Sequence, residues 1–350
     1  MNPGAAIAVT GIGAVSPAGW GLEALLGAMS APEPLPVSPL PRAPPPRPVR
    51  HRPIPPPIPR PPWLAHPRLR RASSISHAAV GAAWEALGPR NPQLAPQGLP
   101  RLGIVVCVMS GSVIYSRRFF DEVLKSPATA SPVLFPETVY NAPASHLAAM
   151  LGADGMNYTL VGDPSVFLAG LGIAAGWLTQ GDADAALVVG VEETDWLTAE
   201  AWELFGTDAI ATGGAGALLL ERSIEGNGPF LDTLTDRQPY ASSAQRTAAL
   251  RASRQGLETL RATDPGALLV DSRSGSRRYD AAEAAVWADW RGPAQSPKRI
   301  LGEGFAAGGA WQCVLAVETL RRGQAREAVV SVAGLNEAAA CARFSAATQP

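Results

Sequence analysis

Short apolar runs punctuate this chain at intervals, each ending at glycine, proline or a polar turn. Leu102–Met109, Tyr158–Val161, Phe230–Leu234 and Ala267–Val270 are of this kind, and they read as buried strands. Residues 5–10 predict a first strand, with Gly11–Gly19 as the turn after it. Ala328–Val332 with Ala338–Phe344 form a final pair. Longer helical segments lie between them: Leu22–Met29, a helix from Arg68 with an apolar body over Ala79–Leu87, and an amphipathic helix carrying Tyr115, Phe119, Phe120 and Leu124. Ser243–Leu260, a helix around Ala281–Trp290 and one running to about Arg321 follow. Strands alternating with helices through two comparable halves, 1–225 and 226–350, predict an α/β fold with two related sheets.

Residues 32–62 break the pattern. Proline triplets (Pro44–Pro46, Pro55–Pro57) alternate with Arg42, Arg47, Arg50, His51, Arg52 and Arg60. Most residues here lack an N–H or precede a proline, so neither helix nor ladder is expected. At about 3.1 Å per residue such an insert could reach roughly 90 Å, so it must wrap the surface or protrude. It reads either as a solvated linker or as a basic docking strap for an acidic partner.

Composition narrows the class. With 350 residues, 47% of them hydrophobic, the chain can bury a sizeable core. A formal net charge of −1 argues against nucleic acid as the main partner. Three cysteines, Cys107, Cys313 and Cys341, form neither a disulfide framework nor a metal site. With no basic leader and no apolar run near the roughly 20 residues of a membrane span, a cytoplasmic chain without metal or cofactor is expected.

The stretch Gly155–Glu193 joins an apolar strand, a tight turn, an apolar helix, Gly181-Asp182-Ala183-Asp184 and a second strand. It resembles the nucleophile-elbow region of β-ketoacyl synthases, which have the thiolase fold. Residues 6–21, 131–146 and 213–221 are similar to other segments of that family. The resemblance implies two related βα halves in a layered αβαβα arrangement, with the proline-rich insert replacing a folded cap. It also implies a reactive cysteine at the elbow, and Pro164 stands there. Proline offers neither a nucleophile nor an N–H for an oxyanion hole.

Two histidines from the C-terminal half complete the family's chemistry, yet no histidine follows His146. Ser272 or Arg273 takes the first slot and Glu303 the second. Asp280, Glu283, Lys298 and Gly302 match positions that support the lost imidazoles, and an ion pair between Lys298 and Glu283 is expected. The family's closing loop is reduced to Gly334 and Asn336. Ser165, beside Asp163, is an alternative nucleophile, with His146 as the sole candidate base. Cys313 and Cys341 read as core residues.

Inactive chains of this kind serve as chain-length factors beside an active ketosynthase in polyketide or aryl-polyene pathways. The resemblance then implies pairing across Asn157–Val161, including Tyr158 and Leu160, with a ketosynthase or a second copy, and an acyl carrier protein as further partner. Met109, with Tyr115, Phe119 and Phe135, would face the acyl tunnel or the interface. A hydrolase or acyltransferase using Ser165, and a carrier-binding scaffold, are the alternatives.

Overall fold

The computed structural model describes residues 6–31, 33–40, 48–90, 99, 101–204, 208–223, 228–260, 263–334 and 337–347. Ten strands carry the architecture: β1 Ala6–Ser16, β2 Leu102–Val108, β3 Asn157–Val161, β4 Ala185–Glu192, β5 Gly214–Ser223, β6 Pro229–Leu234, β7 Leu268–Val270, β8 Ala294–Gln295, β9 Glu327–Ala333 and β10 Ala338–Ala346. The helices are α1 Leu22–Met29, α2 Ser74–Leu87, α3 Val113–Lys125, α4 Ala142–Leu151, α5 Val166–Gln180, α6 Trp196–Leu204, α7 Ser243–Leu260, α8 Arg277–Val286, α9 Pro297–Leu301 and α10 Phe305–Arg321.

The first five strands lie in the order β3-β2-β4-β5-β1 and the last five in the order β8-β7-β9-β10-β6. β1 runs antiparallel to β5, β5 antiparallel to β4, and β4, β2 and β3 are mutually parallel. The second half repeats this strand for strand: β6 against β10 and β10 against β9 are antiparallel, while β9, β7 and β8 are parallel. One register pair, Ala8 with Phe230, joins the halves. This is an internally duplicated α/β fold of the thiolase kind.

Alternation along the strands builds the layers. On β2, Leu102, Ile104, Val106 and Val108 face α2 and α4, whereas Val105 and Cys107 face the central layer. Both faces are therefore covered, which is why the strand is a continuous apolar run. The central layer consists of α5 and α10, and α7 and α8 cover the far side of the second sheet. α10 is buried on every side through its first fourteen residues. Its Trp311 indole N–H donates to the carbonyls of Val15 (3.1 Å) and Ala215 (2.9 Å), so a fully buried ring keeps its polar atom satisfied.

Several expectations are corrected. β1 does not stop at residue 10; it continues through Gly11 and Gly13 to Ser16. These glycines admit helix α2: a Cβ at Gly11 would stand 1.8 Å from the Ala86 carbonyl oxygen, and one at Gly13 2.1 Å from that of Ala82. The segment Pro67–Arg71 is a separate 3-10 turn, and α2 starts at Ser74. α8 spans Arg277–Val286 rather than 281–290.

The insert does form ladder. Ser38–Leu40 pairs antiparallel with Val49–Arg52, which in turn pairs parallel with Ala211–Thr212. Val49–Arg52 is proline-free, and the single proline of its partner, Pro39, lies in an edge strand where a missing donor costs least. The insert wraps rather than protrudes, since the Trp20 indole donates to the Pro55 carbonyl (2.8 Å) and Arg52 Nε to that of Leu35 (2.7 Å). Arg42, Arg47 and Pro44–Pro46 lie outside the described residues.

Candidate functional site

The elbow is built where β3 turns through Gly162–Ser165 into α5, and the N-terminus of α10 packs directly upon it. A Cβ on Gly309 would stand 2.4 Å from the carbonyl oxygen of buried Pro164, so only glycine lets the two central helices meet. The sequence places Pro164, Ser272 and Glu303 far apart, and the fold gathers them around this first turn of α10. Glu303 Oε1 accepts the Phe305 N–H (2.9 Å) and lies beside Gly308. Ser272 Oγ donates to the Ser331 carbonyl (3.0 Å) and accepts from the Ala333 N–H (2.9 Å), close to Gln312 of α10.

Each position is occupied by a group with its bonding capacity committed. Lys298, fully buried, forms an ion pair with Glu303 (Nζ to Oε2, 3.2 Å) and approaches the Ala333 carbonyl at 3.5 Å. The expected pair with Glu283 is therefore corrected: Glu303 takes the lysine for itself. Two opposite charges in a dry site attract more strongly than a buried lysine and a more distant carboxylate could. Glu283 instead accepts the Ser272 N–H (3.3 Å), and burial together with nearby Asp271 pushes its carboxyl upward. Asp280 caps the 272–276 loop by accepting the N–H groups of Ser274 and Gly275, both at 2.9 Å.

Arg273 turns away from Ser272. Its guanidinium binds Asp271 at 2.7 Å, half exposed at the surface, so of the two residues only Ser272 joins the buried network at Ser331 and Gln312.

Ser165 is fully buried and held between two partners. Its hydroxyl donates to Asp163 Oδ1 (2.7 Å) and accepts from Arg237 Nε (2.8 Å). Arg237 also reaches Asp163 (3.3 Å) and Glu337 (2.9 Å), and Glu337 in turn accepts the Asp163 N–H (2.8 Å). Asp163 Oδ2 accepts the Ala338 N–H (2.8 Å). Burial raises the Asp163 carboxyl, with the serine and Ala338 bonds opposing the rise. His146 sits on α4 against Glu137 (2.9 Å) and is not among the partners of Ser165. The Ser165 hydroxyl thus faces a carboxylate with no imidazole beside it, and the Arg237 guanidinium occupies the lone pair that a nucleophile would need free.

The thiols offer no substitute. Cys107, Cys313 and Cys341 are all buried, and burial pushes each well above its ordinary range. No cluster of three or more histidine, cysteine or acidic side chains that could hold a metal occurs among the described residues. Of the closing loop, Gly334 packs on Asp163 and its carbonyl accepts from Tyr240 Oη (2.5 Å), while Asn336 lies outside the described residues.

Sequence reasoning missed four participants. Arg237 and Glu337 join the elbow from 72 and 174 residues away, without any local signal. Glu192 and Glu193 end β4, and adjacent acids closing a wholly apolar strand were a usable clue. Glu192 accepts the Ser110 N–H (3.1 Å) and also that of Met109, and burial pushes its carboxyl up to about 8. Glu193 accepts from Ser74 Oγ (2.6 Å), Ile75 N (3.1 Å) and Ile114 N (2.8 Å), tying α2 to the start of α3.

The proposed tunnel residues separate. Met109 is half-buried against the cluster of Val49, Trp202 and Phe305, partly under the insert. Tyr115 lies under Arg118 (4.9 Å), and Phe119 pairs with Phe135 (5.5 Å) at the surface. Leu160 packs partly buried against the central layer, and Tyr158 stands half exposed, edge-on to Trp177 (5.1 Å). β3 is the edge of its sheet, and Tyr158, Val161, Phe120, Leu124, Phe135 and Tyr140 expose apolar surface on it and on the adjoining 113–140 segment.

Comparison with known proteins agrees with this geometry. Residues 62–223 match the family model of the β-ketoacyl synthase N-terminal domain. Residues 62–223 are thus similar to a β-ketoacyl synthase N-terminal domain, and the whole chain shares the thiolase-type fold of the solved structures it matches. Among solved structures, the ishigamide ketosynthase/chain length factor is 18% identical, with 98% of this chain and 100% of that one covered at a TM-score of 0.76. The ketosynthase ApeO in complex with its chain length factor ApeC from Xenorhabdus doucetiae is 14% identical, covering 98% of both chains at 0.78. The AntDE:AntF structure, a type II polyketide synthase acyl-carrier protein in complex with its ketosynthase bound to the hexaketide, is 16% identical, covering 98% and 99% at 0.72. No curated protein matches in sequence. No helix among the described residues is long and apolar enough to cross a membrane.

Proposed function

We propose that this chain is a non-catalytic ketosynthase-like subunit of the chain-length-factor type, acting in the cytoplasm. It would pair with an active ketosynthase in acyl-carrier-protein-dependent biosynthesis of the polyketide, aryl-polyene or fatty-acid kind. The observation that carries this reading is that the three residues which the resemblance aligns with catalytic positions are a proline, a serine and a glutamate, each packed or bonded within the body. A condensing enzyme needs a thiolate, imidazoles and oxyanion donors; by the resemblance Pro164, Ser272 and Glu303 would take those places, and Glu303 pairs with Lys298 while Ser272 bonds Ser331. Each of the two missing imidazoles is worth about 10²–10⁴ in rate, and without a nucleophile no acyl-enzyme forms, so together these losses leave no useful turnover.

The free edge of β3 and its apolar surroundings support the pairing role. Such an edge is covered in a stable protein, and an obligate interface of this class buries on the order of 2,000–5,000 Å². Two similar structures carry a ketosynthase with a chain length factor in their descriptions, and a third carries a carrier protein. Co-expression with a cysteine-bearing ketosynthase should give a stable complex whose product length changes on Met109→Trp. Condensation by this chain alone would refute the proposal. The Ser165 alternative is disfavoured by the Arg237 hydrogen bond, and acyl transfer to the protein that vanishes in Ser165→Ala would restore it.

A further inference from the structure

Where the proline-rich insert meets the second half, the chain leaves a cleft of about 530 Å³. The insert is stitched to α9 at this place: the Leu35 N–H donates to the Ile300 carbonyl (3.0 Å), and Arg52 Nε donates to the Leu35 carbonyl (2.7 Å). The Thr212 hydroxyl donates to the Arg52 carbonyl (2.7 Å), so the arginine's backbone is fixed as well. The elbow residues Pro164, Ser165 and Arg237 do not line this cleft. Ser272 turns inward to Ser331 and Gln312, whereas its neighbours Arg273, Ser274 and Gly275 face the cleft.

Guanidinium groups dominate its walls. Arg52, Arg273, Arg277 and Arg299 border it, against Asp208 and Asp280. Arg273 is neutralised by Asp271, which it grips through Nε and Nη2 at 2.7 Å. The two lining aspartates are committed to backbone. Asp280 accepts the N–H groups of Ser274 and Gly275 (2.9 Å each), and Asp208 accepts that of Arg277 (3.5 Å). Arg52, Arg277 and Arg299 make no ion pair and no Nη hydrogen bond among the described residues. Arg277 and Arg299 are exposed, but Arg52 is only 7% exposed. A buried charge without a counter-charge is costly, and an anion in the cleft relieves that cost.

We propose that this cleft binds a phosphate dianion, as the free ion or on a small phosphomonoester. The phosphate oxygens would take the Nη donors of Arg52, with Arg277 and Arg299 closing on them from the rim. A phosphate accepts from several guanidinium forks at once and carries nearly two charges near neutral pH. A monocarboxylate offers one fork and one charge. Pro34, Ile210, Ala281 and Ala284 leave apolar wall beside the arginines for an organic frame. The volume also suits a small molecule, whose sites span about 300–1,000 Å³. An occupant would tie the insert to α8 and α9, and so clamp it to the body. The site uses neither the elbow nor the β3 edge, so it stands whether or not the partner-subunit reading holds.

The test is isothermal titration of the full chain with glycerol 3-phosphate, inorganic phosphate and succinate, with amide hydrogen exchange of residues 49–52 followed alongside. Glycerol 3-phosphate or inorganic phosphate should bind with a Kd of about 1 mM or tighter and slow exchange in 49–52. Succinate should bind at least about tenfold more weakly. An ester tighter than inorganic phosphate assigns the apolar wall to the ligand's frame, equal or weaker ester binding assigns the cleft to the free ion, and either supports the proposal. Arg277→Gln and Arg299→Gln, both at exposed positions, should each weaken phosphate binding about tenfold. Their unfolding midpoints and co-purification with a ketosynthase should stay at wild-type values, which separates loss of the anion from loss of fold or of pairing. Arg52→Gln should abolish binding. No binding of either phosphate compound, succinate binding as tightly, or phosphate affinity unchanged in both exposed-arginine variants would each overturn the proposal.

Discussion

Lys298 and Glu303 show how a buried charge is compensated. A buried lysine cannot be left alone, and the Glu303 carboxylate lies 3.2 Å from it. Lys298→Met should therefore destabilise the protein by about 3–5 kcal/mol, because Glu303 is left charged and dry. Lys298→Met/Glu303→Leu should recover much of that loss, and chemical denaturation of the cycle measures it. Glu192 gives a pH signature. Burial holds its proton in the folded state up to about pH 8, while the ordinary value is 4.5. The folded chain binds more protons across that interval, so this group's contribution is complete below about pH 4.5 and is lost as pH rises through 8. In Glu192→Gln the urea midpoint should decline less over that window than in wild type, and parallel profiles would contradict the assignment. The turn at Pro164 was legible because an apolar strand and an apolar helix bracket it. The partner of Lys298 was not, since a register match names a position without fixing which of two carboxylates reaches it.

At the scale of elements, helix α5 and strand β3 were read within a residue or so, because glycine and aspartate turns bracket them on both sides. The start of α10 was less accessible. Gly302 adopts φ 103 and Phe305 φ 47, so the chain passes twice through the left-handed region before the helix begins at Phe305. A phenylalanine there costs roughly 1–3 kcal/mol; its ring packs on Trp202 (4.7 Å) and its N–H on Glu303. The misread glycines of β1 have the same origin, since close approach and turning both demand glycine. For β3 the expectation concerns assembly. Val161, 52% exposed on the free edge, should tolerate lysine with less than about 0.5 kcal/mol change in the isolated chain. Val161→Lys should nevertheless abolish the partner complex in analytical ultracentrifugation, because a charge on the edge opposes strand pairing.

At the scale of the whole molecule, two halves with one strand order enclose two central helices, and their N-terminal turns meet at the degenerate site. If the β3 surface is an obligate interface, the thermal midpoint should rise with protein concentration or with added partner, as mass action requires. A midpoint independent of both would indicate a self-sufficient monomer. The sequence by itself determined the α/β class, the family resemblance, the proline at the elbow and the absence of any histidine after His146, because these depend on local periodicity and on which residue types are present. Only the tertiary structure decided that Lys298 binds Glu303, that Arg237 closes over Ser165, and that the proline-rich insert forms ladder and wraps the body. Those contacts join residues separated in the chain, and their geometry follows from how the layers pack.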